Sequence, residues 1–142
     1  MTVAAILAGK GRDVLTTGTS RTLAEAVEVL ASRRVGALVV VEGGDRIVGI
    51  VSERDIVRAI AGGADALDQQ VSSVMTRNVM TCSDGETIDS VMSRMTRGRF
   101  RHLPVAENGR LTGIISIGDV VKARIEQVER EAEEMRAYIA TA

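Results

Sequence analysis

Gly49-Ile50-Val51-Ser52-Glu53-Arg54-Asp55-Ile56 recurs 64 residues later as Gly113-Ile114-Ile115-Ser116-Ile117-Gly118-Asp119-Val120. Four of the eight positions are identical, and the apolar ones stay apolar. Each stretch is a short apolar run closed by Ser, with Asp three residues on. The run suits a buried strand. The Ser-x-x-Asp suits the start of a helix, where a Ser oxygen accepts from a free first-turn N–H and a carboxylate complements the helix dipole. A strand-to-helix junction met twice makes the chain a duplication.

Working outward, the repeat extends on both sides. A shift of 65 lays Val14, Thr16 and Thr22 on Val79, Thr81 and Thr87, and Leu38, Val40 and Gly44 on Leu103, Val105 and Gly109. Two copies are too few for a solenoid, so a paired, pseudo-twofold arrangement is expected. Within each copy Leu23, Ala26, Val27 and Leu30, or Ile88, Val91, Met92 and Met95, stand at helical spacing. Thr22 with Glu25 reads as a capping box. Strands follow at Val35–Val41 and Ile47–Val51, or at Phe100–Ala106 and Leu111–Ile115. They are joined by tight turns, Glu42-Gly43-Gly44-Asp45 or Glu107-Asn108-Gly109, the Asn-Gly pair favouring a hairpin. Short extended stretches at Val14–Thr16 and Val79–Thr81 open the units, and Ala64–Ser73 reads as a connector. The expected fold is α/β (α+β): two β-α-β-β-α units over residues 8–68 and 75–131, packed sheet to sheet, with a helical extension at 132–142.

Composition bounds the function. Among 142 residues, 18 Lys and Arg face 19 Asp and Glu, so no net charge points to nucleic acid or membrane. One Phe, one Tyr and no Trp leave little to stack bases on. The longest apolar run, Val35–Val41, is too short to span a bilayer. Met1–Arg12 lacks the pattern of a signal peptide, and the lone Cys82 suits a reducing, cytoplasmic setting. Lys10 and Arg12 read as an ordinary solvated N-terminus, with phosphate contact as the alternative.

On spacing alone, Ser-x-x-Asp is a helix cap. Its context adds a second reading, because a helix N-terminus at the carboxyl end of a strand is also an anion site, and a first-turn carboxylate can accept both hydroxyls of a ribose. Nearby, Arg101 and His102 could hold phosphate, and Gly36 removes side-chain bulk where a flat base could approach the backbone.

These motifs, in order and twice over, resemble a tandem pair of cystathionine-β-synthase-type (CBS) domains, a Bateman module. They are Val35-Gly36-Ala37-Leu38-Val39-Val40 with Gly49–Asp55, and Arg101-His102-Leu103-Pro104-Val105 with Gly113–Asp119. The resemblance covers residues 8–131. It implies two clefts between the units that take AMP, ADP, ATP, NAD or S-adenosylmethionine as a regulatory, energy-sensing ligand, with no cofactor required. It implies that Asp55 and Asp119 grip ribose, that Ser52 and Ser116 contact ribose or phosphate, and that Arg101 and His102 face phosphate. Thr16, Gly36, Ala37, Thr81 and Pro104 would line base and sugar pockets, with Val14 and Val79 as apolar walls. Arg54 joins this set, and Gly118 stands in its place in the second copy. Copy one also lacks the basic pair and the proline of copy two, so one cleft is expected to be filled and the other weak or empty.

A catalyst is not expected. His102, the sole histidine, has no orienting carboxylate and nucleophile in its pattern, and Cys82 has no companions for a metal. Cys82 and Met75, Met80, Met92 and Met95 read as core. Val121, Ile125, Val128, Ala132, Met135 and Ile139 form a heptad seam, which reads as a homodimer contact through the helices. The leading function is a non-catalytic receptor that signals occupancy to a regulated protein. The competing one is a nucleic-acid-binding or structural interaction protein using the Arg94–Arg101 patch.

Overall fold

The computed structural model describes residues 1–141. In chain order it consists of helix α1 (Val3–Lys10), strand β1 (Thr16–Thr17), α2 (Leu23–Arg33), β2 (Ala37–Glu42), β3 (Arg46–Ser52), α3 (Glu53–Ala61), a 3-10 turn (Ala66–Asp68), α4 (Val71–Val74), α5 (Ile88–Gly98), β4 (His102–Glu107), β5 (Arg110–Ser116) and α6 (Ile117–Thr141). The last residue of the 132–142 extension, Ala142, lies outside the described residues; the rest of that stretch belongs to the unbroken α6.

The repeat is visible in the geometry. Glu25 N–H donates to Thr22 Oγ1 at 3.2 Å and Glu25 Oε1 accepts from Thr22 N–H at 3.3 Å, the expected capping box. At the corresponding place Ser90 N–H donates to Thr87 Oγ1. Both helices end on an arginine in the left-handed region, Arg34 and Arg99, each at φ 55°. β2 pairs antiparallel with β3, and β4 with β5, with register shifts at Val40/Val41 and Val105/Ala106. Asn108 (φ 54°) and Gly109 (φ 77°) make the two-residue turn between β4 and β5, as their tolerance of positive φ demands.

The opening stretches are shorter than expected. Only Thr16–Thr17 forms a strand, parallel to β2. Val79–Thr81 forms none; instead Cys82 makes a single parallel bridge to Val105. The strand order is β1-β2-β3-β5-β4. The two halves meet in the sheet at a single register pair, Arg46 with Arg110, flanked by Ile47 N–H to Gly109 O and Leu111 N–H to Asp45 O.

Each half has its own core, and each borrows a helix. Leu23, Leu38, Val40, Val51 and Ile56 pack with Val71, which lies in what reads in the sequence as a connector, and with Met75, which reads as the first residue of the second unit. Ile88, Val91, Leu103, Val105 and Ile115 pack with Val3 and Leu7 of α1. So α1 precedes the first unit but seals the second, and α4 precedes the second but seals the first. The exchange is symmetric: Thr2 bridges to Thr87 and Gln70 to Thr22, while a Cβ on Gly113 would meet Leu7 at 3.0 Å and one on Gly49 would meet the Met75 sulfur at 2.5 Å. These glycines let a helix lie against the strand backbone. Val3-Ala4-Ala5-Ile6-Leu7 and Val71-Ser72-Ser73-Val74-Met75 are thus copies of one element, and α1 is no solvated tail.

Candidate functional site

Both Ser-x-x-Asp junctions form helix N-termini. At α3, Asp55 Oδ2 accepts from Ser52 N–H at 2.9 Å and from the Ser52 hydroxyl at 3.1 Å, and Asp55 N–H donates to Ser52 Oγ. At α6, Asp119 Oδ2 accepts from Ser116 N–H at 2.8 Å and Asp119 N–H donates to Ser116 Oγ. The capping role is therefore present at both. It uses Oδ2 only; Oδ1 of either aspartate has no hydrogen-bond partner among the described residues.

The two sites then diverge. Lys10 Nζ donates to Asp119 Oδ2 at 2.7 Å and to Ile114 O at 3.0 Å. At the equivalent place in the first half, Ile50 O takes a backbone N–H, that of Thr76. The path from Leu7 to Val14 is three residues longer than that from Met75 to Val79, and the extra length brings a lysine across. Burial alone would raise the Asp119 carboxyl, but the Lys10 hydrogen bond and charge, with Ser116 N–H, hold it below its ordinary value. Arg12 is also tied down, to Asp84 and to Thr112 O.

A cavity of about 400 Å³ opens at the Asp55 junction, within the range of small-ligand sites. It brings together Gly36, Ala37, Ser52, Arg54 and Asp55 from the first half with Arg101, His102 and Pro104 from the second. The other residues of the sequence-derived set are elsewhere. Thr16 lines a separate depression beside Arg21. Thr81, Ser116 and Asp119 are outside the cavity, and the Thr81 carbonyl is taken by Arg94 at 2.6 Å. Of the two apolar walls, Val79 lines the cavity and Val14 does not.

The face of Gly36 is already occupied. A Cβ there would lie 3.1 Å from His102 Cε1, so the missing side chain makes room for the imidazole of the other half. Burial lowers the His102 pKa; Glu53 opposes this, Lys10 and Arg101 reinforce it, and Asp119 opposes it. His102 thus feels charges of both junctions.

Arg58 and Asn78 line the cavity but are absent from the sequence reading; Arg99 and Met80 line it too, although the sequence placed Arg99 only in the Arg94–Arg101 patch and Met80 in the core. Arg58 stands one helical turn after Arg54, a spacing that could have marked it. Met80 is 52 % exposed, not core, whereas Met75 and Met95 are buried. Cys82 is buried, and burial pushes its thiol up to about 12. The Arg94–Arg101 patch is divided: Arg94 is held by Glu86 at 2.7 Å, while Arg99 and Arg101 turn to the cavity. Among the described residues no helix is long and apolar enough to cross a membrane.

Two copies of a small α/β unit, meeting in the sheet at one register pair, exchanging sealing helices and lining one cleft from both sides, define a paired ligand-cleft module. The chain belongs to the CBS domain family, whose profile matches residues 10–62 and 71–126. It is 37 % identical over 120 residues to an uncharacterised 17.7 kDa protein of Acidianus ambivalens, covering 81 % of this chain and 72 % of that protein. It is 35 % identical over 127 residues to the CBS domain-containing protein CBSCBSPB1 of Arabidopsis thaliana, covering 89 % of this chain but only 23 % of that protein. Among solved structures it resembles the CBS-domain protein ATU1752 of Agrobacterium tumefaciens, with TM-score 0.84, 52 % identity and 87 % and 99 % of the two chains covered. PAE2072 of Pyrobaculum aerophilum, complexed with AMP, gives TM-score 0.74 at 31 % identity over 84 % of this chain and 89 % of its own. The MJ0100 domain pair, complexed with 5′-methylthioadenosine and S-adenosylmethionine, gives 0.77 at 26 % over 87 % and 98 %.

Proposed function

We propose that this chain is a non-catalytic receptor for an adenosine-containing ligand, held in the Asp55 cleft and reported to a regulated protein. The observation that carries this reading is the composition of the cavity: a capped aspartate with a free carboxylate oxygen from one half, and a basic pair from the other. Asp55 is the ribose-binding carboxylate in this reading, Ser52 and Arg101 meet phosphate or sugar, and Ala37 and Pro104 border the base. The AMP complex of PAE2072 and the adenosyl complex of MJ0100 support the ligand class. The second cleft stays unfilled, since Lys10 is already paired with the Asp119 carboxylate through Oδ2.

Occupancy becomes a signal because the ligand touches both halves. They share only one register pair in the sheet, so a bound molecule spanning the cleft biases their relative packing. In this reading the chain is a receptor rather than a catalyst, and its one thiol is buried, with burial pushing it up to about 12, away from the reactive thiolate.

Its partner in assembly is a second copy. The heptad stripe of α6 does not pack on its own sheet; Val120 and Ala123 do that, leaving Val121, Ile125, Val128, Met135 and Ile139 exposed. On α3, Val57 and Ile60 are exposed as well, and Val57 corresponds to Val121. Such apolar faces on both helices suit a helical dimer interface.

Native mass spectrometry of the purified chain tests the ligand. An adenosine compound at one per chain is expected; no copurified or added adenosine compound at millimolar concentration overturns the reading.

A further inference from the structure

We infer that α6 of this chain pairs with α6 of a second copy, parallel and in register, along the stripe from Val121 to Ile139. This rests on the second-copy partner proposed above, which leaves the orientation open. It also adds an assembly element outside the CBS units, whose matched residues end at 126. α6 runs unbroken from Ile117 to Thr141, but only Val120 and Ala123 are buried in its own half. Every described residue from Val128 onward is exposed, so this part of the helix has no cover in its own chain. A bare helical segment of that length is marginal in water. This one carries an apolar stripe, with Val128, Met135 and Ile139 exposed along it, and the stripe begins at Val121 and Ile125 in the proposed dimer face.

The residues flanking the stripe fix the orientation. With Ile125, Ala132 and Ile139 at a and Val121, Val128 and Met135 at d, the e positions are Lys122, Glu129 and Arg136, and the g positions are Arg124, Glu131 and Tyr138. Isoleucine at a suits two parallel strands. Two pairings bury the whole stripe. In the parallel one, each g residue meets the e residue five places on in the other copy. Arg124 then meets Glu129 and Glu131 meets Arg136, opposite charges in both cases, and each pair occurs twice by symmetry. In the antiparallel one, e meets e and g meets g. Glu129 then faces Glu129, Glu131 faces Glu131 and Lys122 faces Arg136, and all three are like charges. Sliding the antiparallel pair by a heptad brings opposite charges together but bares part of the stripe, Ile139 in one direction and Val121 in the other. Only the parallel pairing satisfies stripe and charges together. Arg124 can take part, since it reaches Asp89 of its own chain only at 3.5 Å and a guanidinium has five N–H donors. Because α6 starts at the Asp119 junction, parallel helices set the two Asp119 junctions at the same end of the dimer.

The test joins crosslinking to charge exchange on the full chain. Met135→Cys is expected to form a disulfide-linked dimer under mild oxidation, because equivalent d residues of a parallel pair face each other within disulfide reach. The wild type, whose lone Cys82 is buried, is expected to form none. Glu131→Arg, which sets arginine against Arg136, is expected to raise the dimer dissociation constant on the order of tenfold, and adding Arg136→Glu to restore it. Both positions are exposed, so the melting of each half should not change. Weakening followed by rescue occurs in none of the antiparallel registers above. If Met135→Cys stays uncrosslinked in a chain that light scattering shows to be dimeric, or the charge exchange gives no rescue, the inference is overturned and the second-copy reading stands. A trimeric mass overturns it too. A wild-type monomer at high micromolar concentration overturns both, and leaves the ligand reading to its own titrations.

Discussion

Lys10 Nζ lies 2.7 Å from Asp119 Oδ2, across 109 residues of sequence, and among the described residues no lysine or arginine meets Asp55, the same aspartate in the other half. One duplicated carboxylate is therefore neutralised from within and the other is open. With 33 % and 25 % of the two side chains exposed, the pair is partly screened.

Lys10→Ala is expected to lower stability at pH 7 by about 0.5–1 kcal/mol, the range of a partly exposed pair. The folded state holds the Asp119 carboxyl below its ordinary value, so this contribution is complete above the unfolded carboxylate range and fades as pH falls through the folded value. The gap between wild type and variant in chemical denaturation should close in acid. The same variant should raise ligand stoichiometry from one toward two per chain; a stoichiometry fixed at one would show that Lys10 does not guard the second cleft.

Asp55→Asn separates capping from ligand binding. Asn keeps a capping oxygen, so the apo protein should lose no more than about 1 kcal/mol. Loss of charge-assisted bonds to ribose should weaken binding on the order of tenfold or more. Asp119→Asn should leave affinity unchanged. Calorimetric titration of both variants reads the difference, and a change below threefold at Asp55 would leave the aspartate as a cap alone.

His102 makes the fold pH-sensitive just below neutrality. Burial lowers its pKa, so the folded state binds a proton less readily than the unfolded chain. Its stabilising contribution is complete above the unfolded value of about 6.5 and is lost as pH falls below it toward the folded value. Denaturation midpoints of the wild type should decline from pH 7.5 to pH 5, and His102→Asn should flatten that slope. An identical slope in the variant would assign the effect elsewhere.

Ile125→Glu with Val57→Glu should convert a dimer of about twice the 15.1 kDa chain mass to monomer in light scattering, with melting of each half little changed. Both positions are more than half exposed, at 53 % and 64 %, so the fold does not depend on them. A wild-type monomer at high micromolar concentration would refute the assembly.

The sequence by itself determined what is local. Capping at Thr22, Thr87, Ser52 and Ser116 joins a side chain to an N–H three residues on, and hairpin turns join residues two or three apart, so spacing and residue type suffice to place them. The duplication carried the same logic to the second half. Tertiary structure alone decided which surfaces meet. Burial of apolar area is non-directional: the pattern of Val3, Ile6 and Leu7 says that this helix must be covered, and nothing in it says that β5, more than a hundred residues away, does the covering. The repeat of that pattern at Val71, Val74 and Met75 is legible once the exchange is known. The same holds for His102 over Gly36 and Lys10 on Asp119. A glycine signals that something comes close, and a lysine that a charge must be solvated or paired, but only the packing of the two halves chooses the partner.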